Sequence, residues 1–207
     1  MQYKNDQNME LLILEVAERL FLENGFALTS TTKIAKEAGC NQALVHYYFR
    51  TKENLFNIIF EQKFRKFFLS IFEMKNFGEL TFCEKLKYII ESHFDLLKKN
   101  PKIPALLLNE LLRKPEQIRI LREKLFPLAE QFFSELNDEL QIEIKNGKIR
   151  NINIADLIIS MVSLNITMFV MLPVAESILQ LNEIQKEMMI QHRRTENVDF
   201  VLQSLRP

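Results

Sequence analysis

A short segment between residues 29 and 52 collects the side chains of this chain that are best suited to bind a polyanion. It carries a run of hydroxyls, an amide, an imidazole and two phenols, in the residues Ser30, Thr31, Thr32, Gln42, His46, Tyr47 and Tyr48. Four basic residues and one acidic residue give the segment a net charge of +3, whereas the rest of the chain carries −3. Hydroxyl, amide and cationic groups donate hydrogen bonds to phosphate oxygens. The segment therefore indicates nucleic-acid binding.

Two short helices must position these groups. Thr29 or Ser30 can cap a helix over about residues 30–38, and Asn41 can cap a second helix over about residues 41–49. Gly39 supplies the backbone freedom for a tight turn between them. Two short helices joined by a glycine-containing turn form the helix-turn-helix layout.

The second short helix has one face for the core and another face for a ligand. Helical periodicity places Val45 and Phe49 on one side and Ala43, Leu44, His46 and Tyr47 largely elsewhere. Gln42, near the start of the helix, can make a paired hydrogen bond to adenine, and Ala43 or Leu44 can contact a thymine methyl group. The candidate phosphate-binding residues are Ser30, Thr31, Thr32, His46, Tyr47, Tyr48 and Lys52.

The same residues resemble the DNA-binding domain of the TetR family of bacterial transcriptional regulators. The similarity covers about residues 9–60, and it follows the motif Phe26-x-x-Thr29-Ser30-x-x-x-Ile34-Ala35-x-x-Ala38-Gly39-Cys40-Asn41-x-Ala43-x-Val45-His46-Tyr47-Tyr48-Phe49-x-x-Lys52-x-x-Leu55. The resemblance implies a homodimer that binds a palindromic operator in double-stranded DNA. It also implies base contacts by Gln42, Ala43 and Leu44 and phosphate contacts by Thr31, His46, Tyr47, Tyr48 and Lys52.

His46 stands where tyrosine is common in this family. An imidazole still donates to phosphate, and histidine changes its charge between roughly pH 5 and 8. We therefore hypothesise that DNA affinity depends on pH, which a constant operator affinity from about pH 6 to 8 would contradict.

The whole chain predicts an all-α fold of about nine helices. Its 207 residues include only 4 glycines and 6 prolines, too few turn formers for an all-β protein. Apolar residues at helical spacing, beginning with Met9 and Ile13, predict a first helix that Gly25 terminates. Further helices are predicted at about 52–75, 80–99, 103–113, 116–145, 154–171 and 181–205, with a kink or break at Pro127.

These helices predict two domains. A three-helix helix-turn-helix domain at residues 1–54 is joined by a long helix to a C-terminal effector-binding and dimerisation domain at residues 55–207. The resemblance implies a small-molecule effector, which the apolar composition predicts to be largely apolar. The candidate contacts are Phe64, Phe68, His93, Asn109, Met161, Asn165 and Met168. Core packing explains the phenylalanines equally well.

The last two long segments, at about 154–175 and 181–205, are predicted to form the dimer interface, where Ser160 and Ser163 permit close approach. The 19 uncharged residues Leu157–Ala175 nearly reach the ~20 that span a bilayer. However, Ser160, Ser163 and Thr167 share one helical face, and Pro173 interrupts the end of the segment. We therefore interpret it as an interior or interface helix and expect no membrane association.

No enzyme is expected. The chain has three scattered histidines and lacks a glycine-rich phosphate loop, an HExxH motif and a nucleophile elbow, so we predict no catalytic residue, metal site or cofactor. Cysteine usage and the N-terminal sequence favour the cytoplasm. The predicted function is a transcriptional regulator, as a repressor released by its effector. A helical lipid- or partner-binding protein, whose basic segment contacts anionic surfaces without specific DNA recognition, is the open alternative.

Overall fold

A computed structural model describes residues 2–70, 80–113 and 115–207, without the side chains of residues 2–7, 66–70, 110, 115–118, 120–122, 124, 125 and 128. These residues form nine α-helices and no strand, so the all-α prediction is confirmed for them. Residues 71–75 of the predicted 52–75 helix and the side chain of Phe68 lie outside the described residues.

The helices follow the predicted order. They are α1 Gln2–Leu28, α2 Thr31–Glu37, α3 Gln42–Phe49, α4 Lys52–Ser70, α5 Phe82–Lys99, α6 Ile103–Arg113, α7 Pro115–Lys145, α8 Ile154–Leu179 and α9 Glu183–Ser204. The chain divides into two compact units, residues 1–65 and 66–207, with the division inside α4. The predicted domain boundary at residue 54 stays a prediction.

The first unit is built around aromatic side chains at helical spacing. Phe21 of α1 and Phe56 of α4 are almost fully buried and meet edge to face, with ring centroids 5.0 Å apart. The short helices α2 and α3 bury only small apolar faces, Ile34 and Ala35 in one and Val45 and Phe49 in the other. Helices of seven and eight residues are marginal alone, so their position depends on this core.

The predicted end of the first helix at Gly25 is confirmed in its essential feature. Gly25 has non-helical dihedral angles, with φ at 76°, and only a short helical stretch to Leu28 follows it. The buried hydroxyl of Thr29 donates to the carbonyl oxygens of Leu20 at 3.1 Å and Gly25 at 2.9 Å. These contacts tie Thr29 to the last turns of α1.

The second unit has two apolar clusters formed by α5, α8 and α9 with neighbouring helices. The first cluster is centred on Leu86, Ile90, Leu140, Leu157 and Val201, and the second on Phe94, Leu97, Phe169, Leu172 and Ile190.

Buried polar side chains connect the same three helices. The Asn165 amide nitrogen donates to the Ile90 carbonyl oxygen at 2.8 Å and to His93 Nδ1 at 3.2 Å. The Asn197 amide donates to Asn165 Oδ1 at 2.8 Å. We call His93, Asn165 and Asn197 the polar layer. Its hydrogen bonds explain why Asn165 stands in the uncharged stretch Leu157–Ala175. Near it, Arg194 of α9 pairs with Asp95 of α5 through two bonds of 2.8 and 2.9 Å.

Two prolines lie inside helices. α8 continues through Pro173 to Leu179, so the predicted end near residue 171 is wrong. Proline removes one backbone hydrogen bond, but Phe169 and Leu172 are buried in the second apolar cluster and hold this part of the helix in place. α7 continues through Pro127, so the helix does not break there, and the kink expected at this proline stays a prediction. By length and composition α8 is apolar enough to cross a membrane, and 33% of its most apolar window is buried.

Candidate nucleic-acid interface

The candidate site is formed by α2 and α3, whose first turns are fixed by their own caps. The Ser30 hydroxyl accepts from the Lys33 backbone N–H at 3.1 Å, so Ser30 and not Thr29 caps α2. The Asn41 side chain accepts from the Leu44 N–H at 2.9 Å and caps α3, as predicted. Gly39 lies between them with φ at 68°, a left-handed conformation that favours glycine. The two helices form the predicted helix-turn-helix.

The predicted division of α3 into two faces is confirmed. Val45 and Phe49 are buried, Gln42, Ala43 and His46 are exposed, and Tyr47 exposes 67% of its surface. Leu44 and Tyr48 are half-buried at the edges of the exposed face. A large aromatic ring and an amide therefore project from a firmly packed helix, which is the arrangement that a ligand-reading helix requires.

The Gln42 side chain contacts both threonines of the first turn of α2. Its amide nitrogen donates to Thr31 Oγ1 at 3.0 Å, and Thr32 Oγ1 donates to its amide oxygen at 3.2 Å. Three of the predicted DNA-binding residues thus form one hydrogen-bonded group.

His46 is tied to the end of its own helix. Its Nδ1 lies 2.6 Å from the Arg50 carbonyl oxygen, so the Nδ1–H donates to that oxygen. Arg50 has φ at 64° and ψ at −58°, and the Thr51 N–H donates to the Phe49 carbonyl at 2.7 Å, which makes a strained γ-turn. The Nδ1–H is thus engaged within the chain. The pH dependence of DNA affinity stays a prediction.

Lys52 lies against the end of α1. Its ammonium donates to the Phe26 carbonyl oxygen at 3.1 Å and lies 4.2 Å from the centroid of the Phe26 ring. An ammonium has three N–H donors, so the contact leaves donors for a phosphate.

The positive charge of the segment is available to a partner. Among the described side chains, no carboxylate lies within 4.0 Å of the basic groups of Lys33, Lys36 or Arg50. Glu37, the acidic residue of the segment, is paired with Arg19 of α1. Burial raises the pKa of the neighbouring Cys40 thiol, which disfavours a reactive thiolate.

The residues predicted to contact an effector are distributed over both units. His93 and Asn165 belong to the polar layer, Met161 is buried in the first apolar cluster, and Met168 packs against the second. Asn109 is exposed on α6, whereas Phe64 stacks on Phe60 in the first unit with centroids 6.1 Å apart. Across the part of the chain that is described, no group of three His, Cys, Asp or Glu residues is placed to hold a metal ion.

Two polar residues of α9 were not predicted from the sequence. Asn197 is buried on the same face as Ile190 and Val201, where an asparagine among apolar residues at helical spacing was the available signal. Arg193 lines an open groove that is otherwise free of charged side chains.

Comparison with known proteins agrees with this geometry. Residues 13–59 match the family of bacterial regulatory proteins, tetR family. The fatty acid metabolism regulator protein of Bacillus subtilis is 27% identical over 150 residues, which cover 72% of this chain and 74% of that protein. The HTH-type transcriptional regulator QacR of Staphylococcus aureus is 43% identical over 49 residues, 24% of this chain and 26% of QacR.

The fold extends beyond the matched segment. The crystal structure of the transcriptional regulator FadR from Bacillus subtilis in complex with stearoyl-CoA aligns with a TM-score of 0.62 and 20% identity, covering 94% of this chain and 98% of FadR. The capped helix pair and its exposed reading face define a helix-turn-helix DNA-binding protein. Residues 13–59 are therefore a helix-turn-helix domain of the tetR family of bacterial regulatory proteins.

Proposed function

We propose that this protein is a homodimeric repressor that binds a palindromic operator in double-stranded DNA and leaves it when a small-molecule effector binds. The observation that carries the proposal is the outward face of α3, where Gln42, Ala43, His46 and Tyr47 are exposed while Val45 and Phe49 are buried. We place the protein in the cytoplasm, where its DNA target lies. It works through binding equilibria and catalyses no reaction.

The proposed contacts follow from the chemistry of each side chain. Gln42, Ala43 and Leu44, at the start of α3, read base edges in the major groove. Around them, the phosphate contacts are made by Ser30, Thr31, His46, Tyr47, Tyr48 and Lys52. Thr32, which was also predicted to bind phosphate, already donates its hydroxyl to Gln42. Phosphate contacts fix the position of the protein, and the base contacts select the sequence.

The proposed dimer interface is the outer face of α8 and α9. Ile159 and Ile178 on α8 expose 62% and 73% of their surfaces, and Phe200 on α9 exposes 65%. A groove of about 500 Å³ between the two helices is lined mainly by apolar and small residues, including Ser160, Ser163 and Met171. Extended apolar surface of this kind is typical of a protein interface, and two helices from each copy would cover it.

An effector would act by changing the distance between the two copies of α3. They must lie roughly 34–36 Å apart to enter successive major grooves of one duplex. A ligand that binds better to a conformation with a different spacing shifts the population and releases DNA. Operator and effector then weaken each other's binding by the same factor.

We propose a long-chain acyl-CoA as the effector class. The relative named above is a fatty acid metabolism regulator, and the FadR structure holds stearoyl-CoA. The apolar helix faces of the second unit suit an acyl chain, with contacts proposed for Phe68, His93, Asn109, Met161, Asn165 and Met168. Phe64, also predicted to contact the effector, belongs to the first unit.

The DNA proposal is tested by selecting bound sequences from random duplexes with the full chain. We expect a palindromic motif. Gln42→Ala should lower affinity for it by about tenfold or more, because alanine cannot make the paired hydrogen bond to the base. Tyr47→Phe should weaken binding to all duplexes by several-fold, roughly the value of one hydrogen bond.

The controls are Gln131→Ala and Tyr88→Phe, exposed residues of the same types on α7 and α5. They should bind as the unmodified protein does. If the selection enriches no motif, or if the control variants lose as much duplex affinity as the α3 variants, then α3 does not read DNA.

The effector proposal is tested by titrating stearoyl-CoA into the protein bound to the selected duplex. We expect stearoyl-CoA to release the duplex. When the order of addition is reversed, the duplex should weaken the binding of stearoyl-CoA by the same factor. Coenzyme A and stearate are the controls. If stearoyl-CoA changes the operator affinity no more than coenzyme A does, the acyl-CoA class is wrong while DNA binding stands.

A further inference from the structure

Gln42 holds its side-chain amide in one orientation. A glutamine amide has two N–H donors and an oxygen with two lone pairs. One N–H is taken by Thr31 Oγ1 at 3.0 Å, and one lone pair accepts the Thr32 hydroxyl at 3.2 Å. One donor and one acceptor therefore remain for a ligand.

We propose that Thr31 and Thr32 are positioning residues that set which base Gln42 selects. The inference rests on the proposed function, in which Gln42 reads a base edge. Adenine presents an acceptor and a donor in the major groove, whereas guanine presents two acceptors. An unrestrained amide can turn its NH₂ group toward guanine, but an amide held by two hydroxyls offers one donor beside one acceptor. The pair of threonines thus favours adenine.

The helix ends make this restraint firm. Thr31 and Thr32 occupy the first turn of α2, which Ser30 caps, and Gln42 is the first residue of α3, which Asn41 caps. Gly39 fixes the turn between the helices with φ at 68°. The backbone therefore brings the three side chains together before DNA arrives, and little conformational entropy remains to be lost on binding.

The two threonines differ in whether their hydroxyl groups can still donate a hydrogen bond to DNA. The Thr31 hydroxyl accepts from Gln42, so its own O–H can still donate to a phosphate. The Thr32 hydroxyl donates to Gln42, so its single O–H is already used. Thr31 therefore contributes to position and to phosphate binding, whereas Thr32 contributes to base selection alone.

The test measures the affinity of the full chain for four duplexes that differ only at the base pair read by Gln42, in both half-sites. The unmodified protein should prefer A·T. Thr32→Val should lose about threefold to tenfold of this preference, the value of one hydrogen bond, with an unchanged dependence on salt. Thr32→Ser keeps the hydroxyl and should keep the preference.

Thr31→Val should lose the preference and also bind all four duplexes more weakly, because it removes a hydroxyl that can donate to a phosphate. Its dependence on salt should be unchanged, since a neutral hydroxyl releases no counterion from DNA. If Thr31 binds phosphate alone, Thr31→Val would weaken all four duplexes equally with the base preference intact, which would overturn its positioning role.

The Gln42→Ala variant distinguishes a failure of base reading by Gln42 from a failure of the positioning role of the threonines. If Gln42→Ala abolishes the preference and Thr32→Val does not change it, the threonines do not position the amide and the inference is wrong. If Gln42→Ala leaves the preference intact, the base-reading role fails and the inference with it. A preference for guanine in the unmodified protein, or equal weakening of all four duplexes by Thr32→Val, also overturns the inference.

Discussion

His93 is a residue that the fold keeps uncharged. Its ring is 3% exposed, and burial lowers its pKa from 6.5 to about 4. The Asn165 amide donates to Nδ1, so the neutral ring carries its proton on Nε2. A charged ring would lose that hydrogen bond and would carry its charge into an apolar environment.

The free energy of unfolding should therefore fall in acid. Between pH 6.5 and about 4 the unfolded chain binds a proton at His93 that the folded chain does not bind. Stability is unaffected by this group above that window and decreases within it, by up to about 3 kcal/mol. Urea unfolding between about pH 7.5 and 4.5 measures the effect.

His93→Gln keeps an acceptor for Asn165 and should remove this part of the pH dependence. His192→Gln, at an exposed histidine of α9, should retain it. Identical pH profiles for the unmodified protein and His93→Gln would show that His93 is not the responsible group.

At the scale of elements, the helix caps stabilise the helix-turn-helix formed by α2 and α3. Asn41→Ala removes the acceptor of the Leu44 N–H and should lower the free energy of unfolding by about 1 kcal/mol. Operator affinity should also fall, because Gln42 lies in the turn that loses its cap. Chemical denaturation and operator titration measure the two effects. Asn41→Ser should retain both, and an unchanged stability of Asn41→Ala would contradict the role of the cap.

The elements that could be predicted are those whose signals are local. The Asn41 cap, the Gly39 turn and the two faces of α3 depend on neighbouring residues alone. The helix end predicted near Pro173 was wrong, because the packing of Phe169 and Leu172 against other helices outweighs the missing backbone hydrogen bond. The bonds of Thr31 and Thr32 to Gln42 also escaped prediction, since they depend on the angle between two helices. Effector contacts are the hardest to predict, because Met161 in a core and Met161 in a pocket carry the same apolar signal.

At the scale of the whole molecule, the dimer interface proposed on the outer face of α8 predicts which substitutions change the oligomeric state. Ser160 is exposed beside the groove between α8 and α9, and its hydroxyl donates to the Asp156 carbonyl oxygen of its own helix at 2.8 Å. Ser160→Arg should leave the subunit folded but bring two arginines into a closely packed interface. We expect monomers by analytical ultracentrifugation and a loss of operator binding, since two linked reading helices are needed.

Ser134→Arg is the matched control, because Ser134 is exposed on α7. It should sediment as the unmodified protein does. A Ser160→Arg variant that dimerises with undiminished strength would place the interface elsewhere.

The polar layer limits how the second unit can move. Asn165 satisfies its donors on α5 and its acceptor from α9 at the same time, and Arg194 adds a paired carboxylate contact between α9 and α5. A slide of α8 alone by one helical turn would leave Asn165 and its partners buried without hydrogen bonds, at a cost of several kcal/mol. We therefore expect signals that cross this bundle to travel as a joint tilt of the three helices in register, and not as a one-turn axial shift of α8.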